Sequence, residues 1–195
     1  ALLRHGGDLA VGALGIQKSI VTLFLMFIIG LNQGIQPILG YNYGAQNYDR
    51  MFSTLTRAAL IATIVTTIGF LLSTFFSPVL VSIFTTDEEL KSISANALRI
   101  SVIMLPLVGS QIVFTSFFQS IGKAKISMLL SLARQVLFLI PAVLILPAFF
   151  GLNGVWFSMP VADSLAVVVT SITIFTFIRK FEKQTSYKFR LKSVR

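Results

Sequence analysis

Five long apolar stretches, separated by short polar segments, dominate the chain. They cover about residues 19–41, 58–84, 100–121, 126–150 and 152–178. Each is long enough to supply the roughly 20 apolar residues with which a helix crosses the hydrocarbon core of a bilayer. None alternates polar and apolar positions with the period of two that a membrane β-strand shows. The pattern predicts an all-α polytopic membrane protein with about five transmembrane helices.

The polar segments divide the chain into three predicted parts. Residues 1–18 are expected to be the end of a truncated upstream helix and an external loop, 19–178 a transmembrane bundle, and 179–195 a basic cytoplasmic tail. Residue 1 is Ala, and residues 1–8 resemble the end of an earlier element, so we expect a fragment of a longer protein. Thr86 and Glu89 have the spacing of a capping box, which predicts a helix that begins at Thr86.

Composition supports the membrane interpretation and narrows the chemistry. Hydrophobic residues make up 55% of the chain and charged residues 12%, about half the share in a soluble domain. There is no Cys and one His, so neither a disulfide framework, a metal site nor a bound cofactor is expected. The net charge of +9 comes from Lys and Arg placed between the apolar runs and in the tail, which does not predict nucleic acid as a partner.

The distribution of Lys and Arg predicts the orientation. One side of the bundle would carry twelve of them, including Arg50, Lys123 and those of the tail, and the other side four. Since the more basic side faces the cytoplasm, the chain would cross five times and end in the cytoplasm. The basic tail would contact anionic lipid.

The first apolar stretch contains a polar and glycine-rich segment. Gly30 and Gly34 form a GxxxG motif, which allows another helix to approach closely. Gln33 and Gln36 share one helical face, and Pro37 leaves the Gln33 carbonyl without its usual donor. The segment is either part of a cavity wall or a helix-packing seam, and the two interpretations are compatible.

Three further polar residues lie in the later stretches. Asp163 is the only acid deep in an apolar run, on one helical face with Pro160. It is either a proton- or cation-sensitive site or a structural carboxylate held by hydrogen bonds. Arg134 is either a cavity residue or an interfacial anchor. Gln111 is either a cavity residue or a packing residue.

The chain resembles the second half of the MATE (multidrug and toxin extrusion) family. Residues 30–50, GLNQGIQPILGYNYGAQNYDR, carry the strongest similarity, which resembles the end of the family's eighth helix and the loop after it. Weaker similarity follows in order along the chain, at residues 84–87, 118–125 and 151–156, at Arg134 and Gln135 with Pro141, and at Pro160 with Asp163.

This resemblance implies a twelve-helix antiporter of two six-helix bundles in a bacterial inner membrane, working by alternating access. Amphipathic cationic small molecules would leave in exchange for H⁺ or Na⁺. The chain would be the C-terminal bundle, and the missing N-terminal bundle of the same transporter would be its partner. The implied cavity-facing candidates are Gln33, Gln36, Gln111, Arg134 and Asp163, and the packing or hinge candidates are Gly30, Gly34, Pro37, Pro141 and Pro160.

One departure concerns the coupling ion. In one branch of the family, acids on helices seven and ten bind the cation, and the stretch at 100–121 contains no acid. Three alternatives remain: a related lipid-linked oligosaccharide flippase, which needs several basic residues for pyrophosphate, an inactive truncated membrane module, and an intramembrane enzyme. The enzyme is disfavoured because it needs paired acids or an activated nucleophile at membrane depth.

Overall fold

The computed structural model describes residues 2–185, with side chains from Gly7 onward, and this part of the chain is helical with no strand. Within residues 2–185, seven α-helices follow one another with one π-helical segment between the last two. Their bounds are α1 Leu2–Gly44, α2 Tyr48–Phe75, α3 Ser77–Ser82, α4 Glu88–Ser101, α5 Leu105–Ser120, α6 Ala124–Leu132, the π segment Ala133–Leu139, and α7 Ile140–Thr185.

Helix α1 is longer than the sequence predicted. It breaks only at Gly7, where φ is 61° and ψ is −158°, and then runs to Gly44. The predicted external loop before residue 19 is therefore helical. The physical reason is burial, because Ala10 and Ala13 lie on one helical face and pack against Ala97 and Trp156.

Helix α4 begins one residue later than the capping box predicted. Asp87, not Thr86, is the N-cap, and its carboxylate accepts hydrogen bonds from the backbone N–H groups of Glu89 and Leu90 at 2.9 and 3.0 Å. One charged oxygen thus satisfies two free helical donors, which a Thr hydroxyl at position 86 does not.

The third apolar stretch is not one straight helix. Helices α4 and α5 meet at a bend of 56°, and Pro106 lies at the start of α5. Proline is tolerated in the first turn of a helix but not in its interior, so the new helix begins there. The span predicted at 100–121 is consequently built from the end of α4 and all of α5.

The longest helical stretch, Ala124–Thr185, is a hairpin. Gly151 has φ 56° and ψ −135°, which interrupts the helix. Arg134 and Asp163 are 29 residues apart in sequence, which corresponds to roughly 43 Å in a straight helix, yet their side chains are in contact. The residues after Gly151 therefore return antiparallel to those before it.

The number of apolar segments agrees with the sequence. By length and apolarity, Gly7–Gly44, Tyr48–Phe75 and Ala124–Thr185 could cross a membrane, and the bent pair of α4 and α5 adds a fourth candidate if the two helices form one broken span. Because Ala124–Thr185 folds back at Gly151, it contributes two limbs. The described residues thus contain five apolar helical segments, as predicted. Residues 179–185 continue α7 instead of leaving it as a tail, and 186–195 lie outside the described residues.

Aromatic rings join the ends of three helices. Tyr48 lies edge-on to Phe181 with ring centroids 4.7 Å apart, and Phe117 packs on Phe177 at 5.7 Å. The ammonium of Lys123 lies 4.6 Å from the centre of the Phe177 ring. These contacts hold the start of α2, the end of α5 and the last turns of α7 together.

Helix packing uses other glycines than the predicted pair. Gly30 and Gly34 are exposed, and a Cβ on either would meet no atom within 4 Å among the described residues. No helix of the described residues packs against this face of α1, so the packing role of the pair stays a prediction. Gly109 of α5 and Gly69 of α2 provide the close approaches instead, to Thr66 and to the Phe24 ring.

Candidate substrate cavity

A polar cavity of about 520 Å³ lies between α1, α5, α6 and the π segment. Its walls combine amides, hydroxyls and one guanidinium, with only two apolar side chains. The lining residues are Ile29, Asn32, Gln33 and Gln36 of α1, Gln111, Ile112, Thr115, Ser116 and Gln119 of α5, Ser127 and Ser131 of α6, and Arg134 and Gln135 of the π segment.

Helical periodicity explains why these residues converge. Gln36 follows Asn32 by four positions and Gln33 by three, so these residues form a stripe along α1. The polar residues of α5 follow the same spacing, and those of α6 and the π segment lie one turn apart. Three polar stripes on otherwise apolar helices face one another, and that places a polar cavity inside an apolar bundle.

Two hydrogen bonds connect the cavity helices. The amide of Gln36 donates to the Ser116 hydroxyl at 2.9 Å and joins α1 to α5. The buried amide of Gln111 donates to the Thr170 hydroxyl at 3.4 Å and joins α5 to α7. Gln36 and Gln111, two of the three predicted Gln residues, therefore line the cavity and also connect helices.

An ion pair lies beside the cavity. Nε of Arg134 donates to Oδ1 of Asp163 at 2.7 Å, and the two side chains are 34% and 13% exposed. Asp163 does not line the cavity itself. It is reached through Arg134, so the structure brings four of the five predicted cavity residues together at one cavity and places the fifth in contact with them.

Arg134 lies in the π-helical segment, which the sequence did not predict. Pro141 follows two residues after that segment and has no N–H for the Leu137 carbonyl. A proline of this kind interrupts the regular backbone hydrogen bonding where the π segment ends. π-Helical turns are frequent at functional sites, because they change the direction of the side chains they carry.

The other predicted hinge prolines lie inside continuous helices. Pro37 is exposed in α1, and no helical break occurs there. Pro160 is buried in α7, and its own carbonyl accepts a hydrogen bond from the Ser164 hydroxyl at 2.7 Å. Their roles as hinges remain predictions.

Three polar residues of the cavity were missed by sequence reasoning, namely Asn32, Ser127 and Ser131. Asn32 precedes Gln36 by one turn, and the two Ser residues precede Gln135 by one and two turns. The signal was therefore their helical spacing from residues already recognised. Ser110, the residue before Gln111, lines a second, mainly apolar cavity of about 370 Å³ between α2, α5 and α7.

Comparison with known proteins identifies the family. The MatE family model matches residues 1–144 of the chain. The chain belongs to the MATE family. Among curated relatives, the multidrug export protein MepA of Staphylococcus aureus (strain NCTC 8325 / PS 47) is 27% identical over 190 residues, covering 94% of this chain and 40% of the relative. MepA of Staphylococcus haemolyticus is 23% identical over 170 residues, covering 87% and 37%.

Solved MATE structures share the fold. The MATE multidrug transporter DinF-BH, in complex with R6G, is 41% identical with a TM-score of 0.79, covering 90% of this chain and 39% of that one. An inward-facing MATE transporter of the MOP superfamily has a TM-score of 0.85 at 21% identity, covering 94% and 43%. The chain spans about 40% of the length of the relatives that it matches.

Proposed function

We propose that this chain is the C-terminal bundle of a secondary active antiporter that exports amphipathic cationic small molecules. The observation that carries the proposal is the polar cavity, because four predicted residues from three separate parts of the sequence meet there, and one of them, Arg134, forms an ion pair. The multidrug export relatives agree with this use of the cavity. A missing N-terminal bundle would supply the opposite wall and contact the open α1 face that carries Gly30 and Gly34.

The Arg134–Asp163 pair is the proposed site of coupling to H⁺ or Na⁺. Asp163 binds the guanidinium as a carboxylate, so a proton or a cation on its oxygens competes with Arg134 for the same atoms. Release of Arg134 would change the π segment and the cavity wall that it forms. Antiport follows if substrate favours one arrangement and the ion favours the other, which gives alternating access between the two sides.

The membrane placement is part of the same proposal. The protein would lie in a bacterial inner membrane with its C-terminus in the cytoplasm, following the excess of Lys and Arg on that side. Lys123, Arg179 and Lys183 would then contact the cytoplasmic leaflet, where anionic lipids attract basic side chains.

The flippase alternative loses support from the geometry. A pyrophosphate group requires several basic side chains with unused charge. Among the described residues that line the cavity, Arg134 alone is basic, and one guanidinium is too few for a pyrophosphate.

The proposal is tested by transport in proteoliposomes made with the full reading frame. A fluorescent cationic dye is followed under imposed H⁺ or Na⁺ gradients, and movement of the dye under one of them names the coupling ion. Asp163→Asn should abolish gradient-driven movement, whereas Asp163→Glu should retain part of it, because the carboxylate survives. Monodispersity and thermal stability of each variant provide the folding control.

Two outcomes would contradict the proposal in different ways. Absence of dye movement by folded wild-type protein under both gradients would reject the antiporter. Undiminished transport by Asp163→Asn would make Asp163 a structural carboxylate and place the coupling site outside this pair.

A further inference from the structure

Arg134 has more hydrogen-bonding capacity than its ion pair uses. Among the described residues that line the polar cavity, it carries the only charge. Asp163 accepts from Nε, while the two terminal nitrogens have no partner in the described part of the chain. A guanidinium has five N–H donors, so four remain for another acceptor.

The cavity that Arg134 lines also contains an unpaired buried polar atom. Oδ1 of Asn32 is buried and has no hydrogen-bond partner among the described residues. Gln135 is adjacent to Arg134 in the chain and lines the same cavity. Unpaired buried polar atoms are costly, so this wall is suited to a solute that brings hydrogen-bonding groups.

The charge at this wall selects the type of group. A guanidinium binds carboxylate oxygens in the plane of its N–H donors, and it binds cations poorly. The cationic centre of a drug therefore gains nothing at Arg134. A solute with both a cationic centre and a carboxylate can place the carboxylate there and its cationic part elsewhere in the pocket.

We propose that Arg134 is a specificity-determining residue whose terminal nitrogens bind the carboxylate of zwitterionic amphipathic solutes, while its Nε stays bonded to Asp163. This inference rests on the proposed function in one respect, which is that the solute bound at Arg134 is a transported substrate. It adds a subsite for an anionic group to a pocket that is otherwise expected to bind cations.

The test uses two dyes that differ at one group. Rhodamine 6G is an ethyl ester and a cation, and its free acid has the same ring system with an ionised carboxylate at pH 7.5. Fluorescence anisotropy gives the Kd of each dye for the full-reading-frame protein in nanodiscs of zwitterionic lipid. The measured quantity is the preference, which is the Kd of the ester divided by the Kd of the acid.

Paired substitutions isolate the role of the charge. Arg134→Gln combined with Asp163→Asn removes both charges, so no unpaired charge is left behind. The preference for the acid should fall about tenfold, as expected for loss of a hydrogen bond to a charged group. Asp163→Asn alone leaves the guanidinium uncompensated and should raise the preference. Arg57→Gln is the matched control, because it removes a positive charge from an exposed position of α2 and should leave the preference unchanged.

The outcomes separate this inference from its alternatives. An unchanged preference in the double variant would overturn it, and so would a fall of the same size in Arg57→Gln, since that indicates overall charge alone. If adding anionic phosphatidylglycerol to the nanodiscs abolishes the wild-type preference, a lipid headgroup occupies the site and the assignment to a solute is wrong. Failure of the antiporter proposal would be seen in the transport assay instead, where neither dye would move under an imposed gradient.

Discussion

The contact between α2 and α5 depends on the absence of a side chain at Gly109. A Cβ at this position would lie 2.6 Å from Oγ1 and 2.8 Å from Cγ2 of Thr66, and 2.7 Å from the Ala62 carbonyl oxygen. Thr66 itself donates to the Ala62 carbonyl at 2.8 Å and lies 3.2 Å from the Pro106 carbonyl. Gly109→Ala should therefore push the two helices apart.

The structure allows the size of the effect to be worked out. A carbon atom needs about 3.5 Å from its neighbours, so the helices must separate locally by roughly 0.8 Å. The Ala62 carbonyl belongs to the backbone of α2 and cannot rotate away. Overpacking of this kind lowers the free energy of unfolding by about 1–3 kcal/mol. The higher helix propensity of Ala offsets up to about 1 kcal/mol of this loss. We expect a net destabilisation of about 1–2 kcal/mol.

Thermal unfolding of the purified protein in detergent provides the assay. The apparent Tm of Gly109→Ala should fall by about 2–8 °C. Gly15→Ala is the matched control, because a Cβ there meets nothing within 4 Å, and its Tm should be unchanged or slightly higher. Adding Thr66→Ser to Gly109→Ala should recover only part of the loss, since the Ala62 carbonyl remains.

Equal Tm values for Gly109→Ala and Gly15→Ala would refute this reasoning. They would mean that α2 and α5 do not approach as closely as the structure places them. Full recovery by Thr66→Ser would refute a narrower point, that the backbone carbonyl limits the approach.

Two further predictions concern backbone features that the structure revealed. Asp87→Ala should destabilise the protein by about 1 kcal/mol through loss of the α4 N-cap. Thr86→Ala, the control, should have little effect. Equal losses of Tm in the two variants would contradict the assignment of the cap to Asp87. Gly151→Ala should destabilise the protein by about 1–3 kcal/mol, because φ 56° with ψ −135° is accessible almost only to glycine. Gly44→Ala is the control in the same assay. Gly44 has no such φ and a Cβ added there would meet no atom within 4 Å, so this variant should be near neutral. Wild-type stability of Gly151→Ala would argue against the hairpin turn at this residue.

Much of the candidate site could be predicted from the sequence because polar groups are costly at membrane depth. Gln33, Gln36, Gln111 and Arg134 stood out as polar residues in apolar runs, and the structure places all four at one cavity. The reason is that a polar side chain facing lipid loses its hydrogen bonds, so such residues face each other. The partner of Asp163 could not be predicted, because it lies 29 residues away across a turn whose geometry depends on Gly151.

The spans and the tertiary contacts thus have different origins. The number of apolar segments follows from the sequence alone. Each helix satisfies its own backbone hydrogen bonds, so whether a segment can lie in the bilayer depends on the hydropathy of that segment. Close packing is not local. Gly30 and Gly34 carry the recognised motif but meet no helix in the described residues, while Gly109 has no motif and meets α2. Which glycine is approached depends on how two helices cross, and that is decided only when the folded helices pack together.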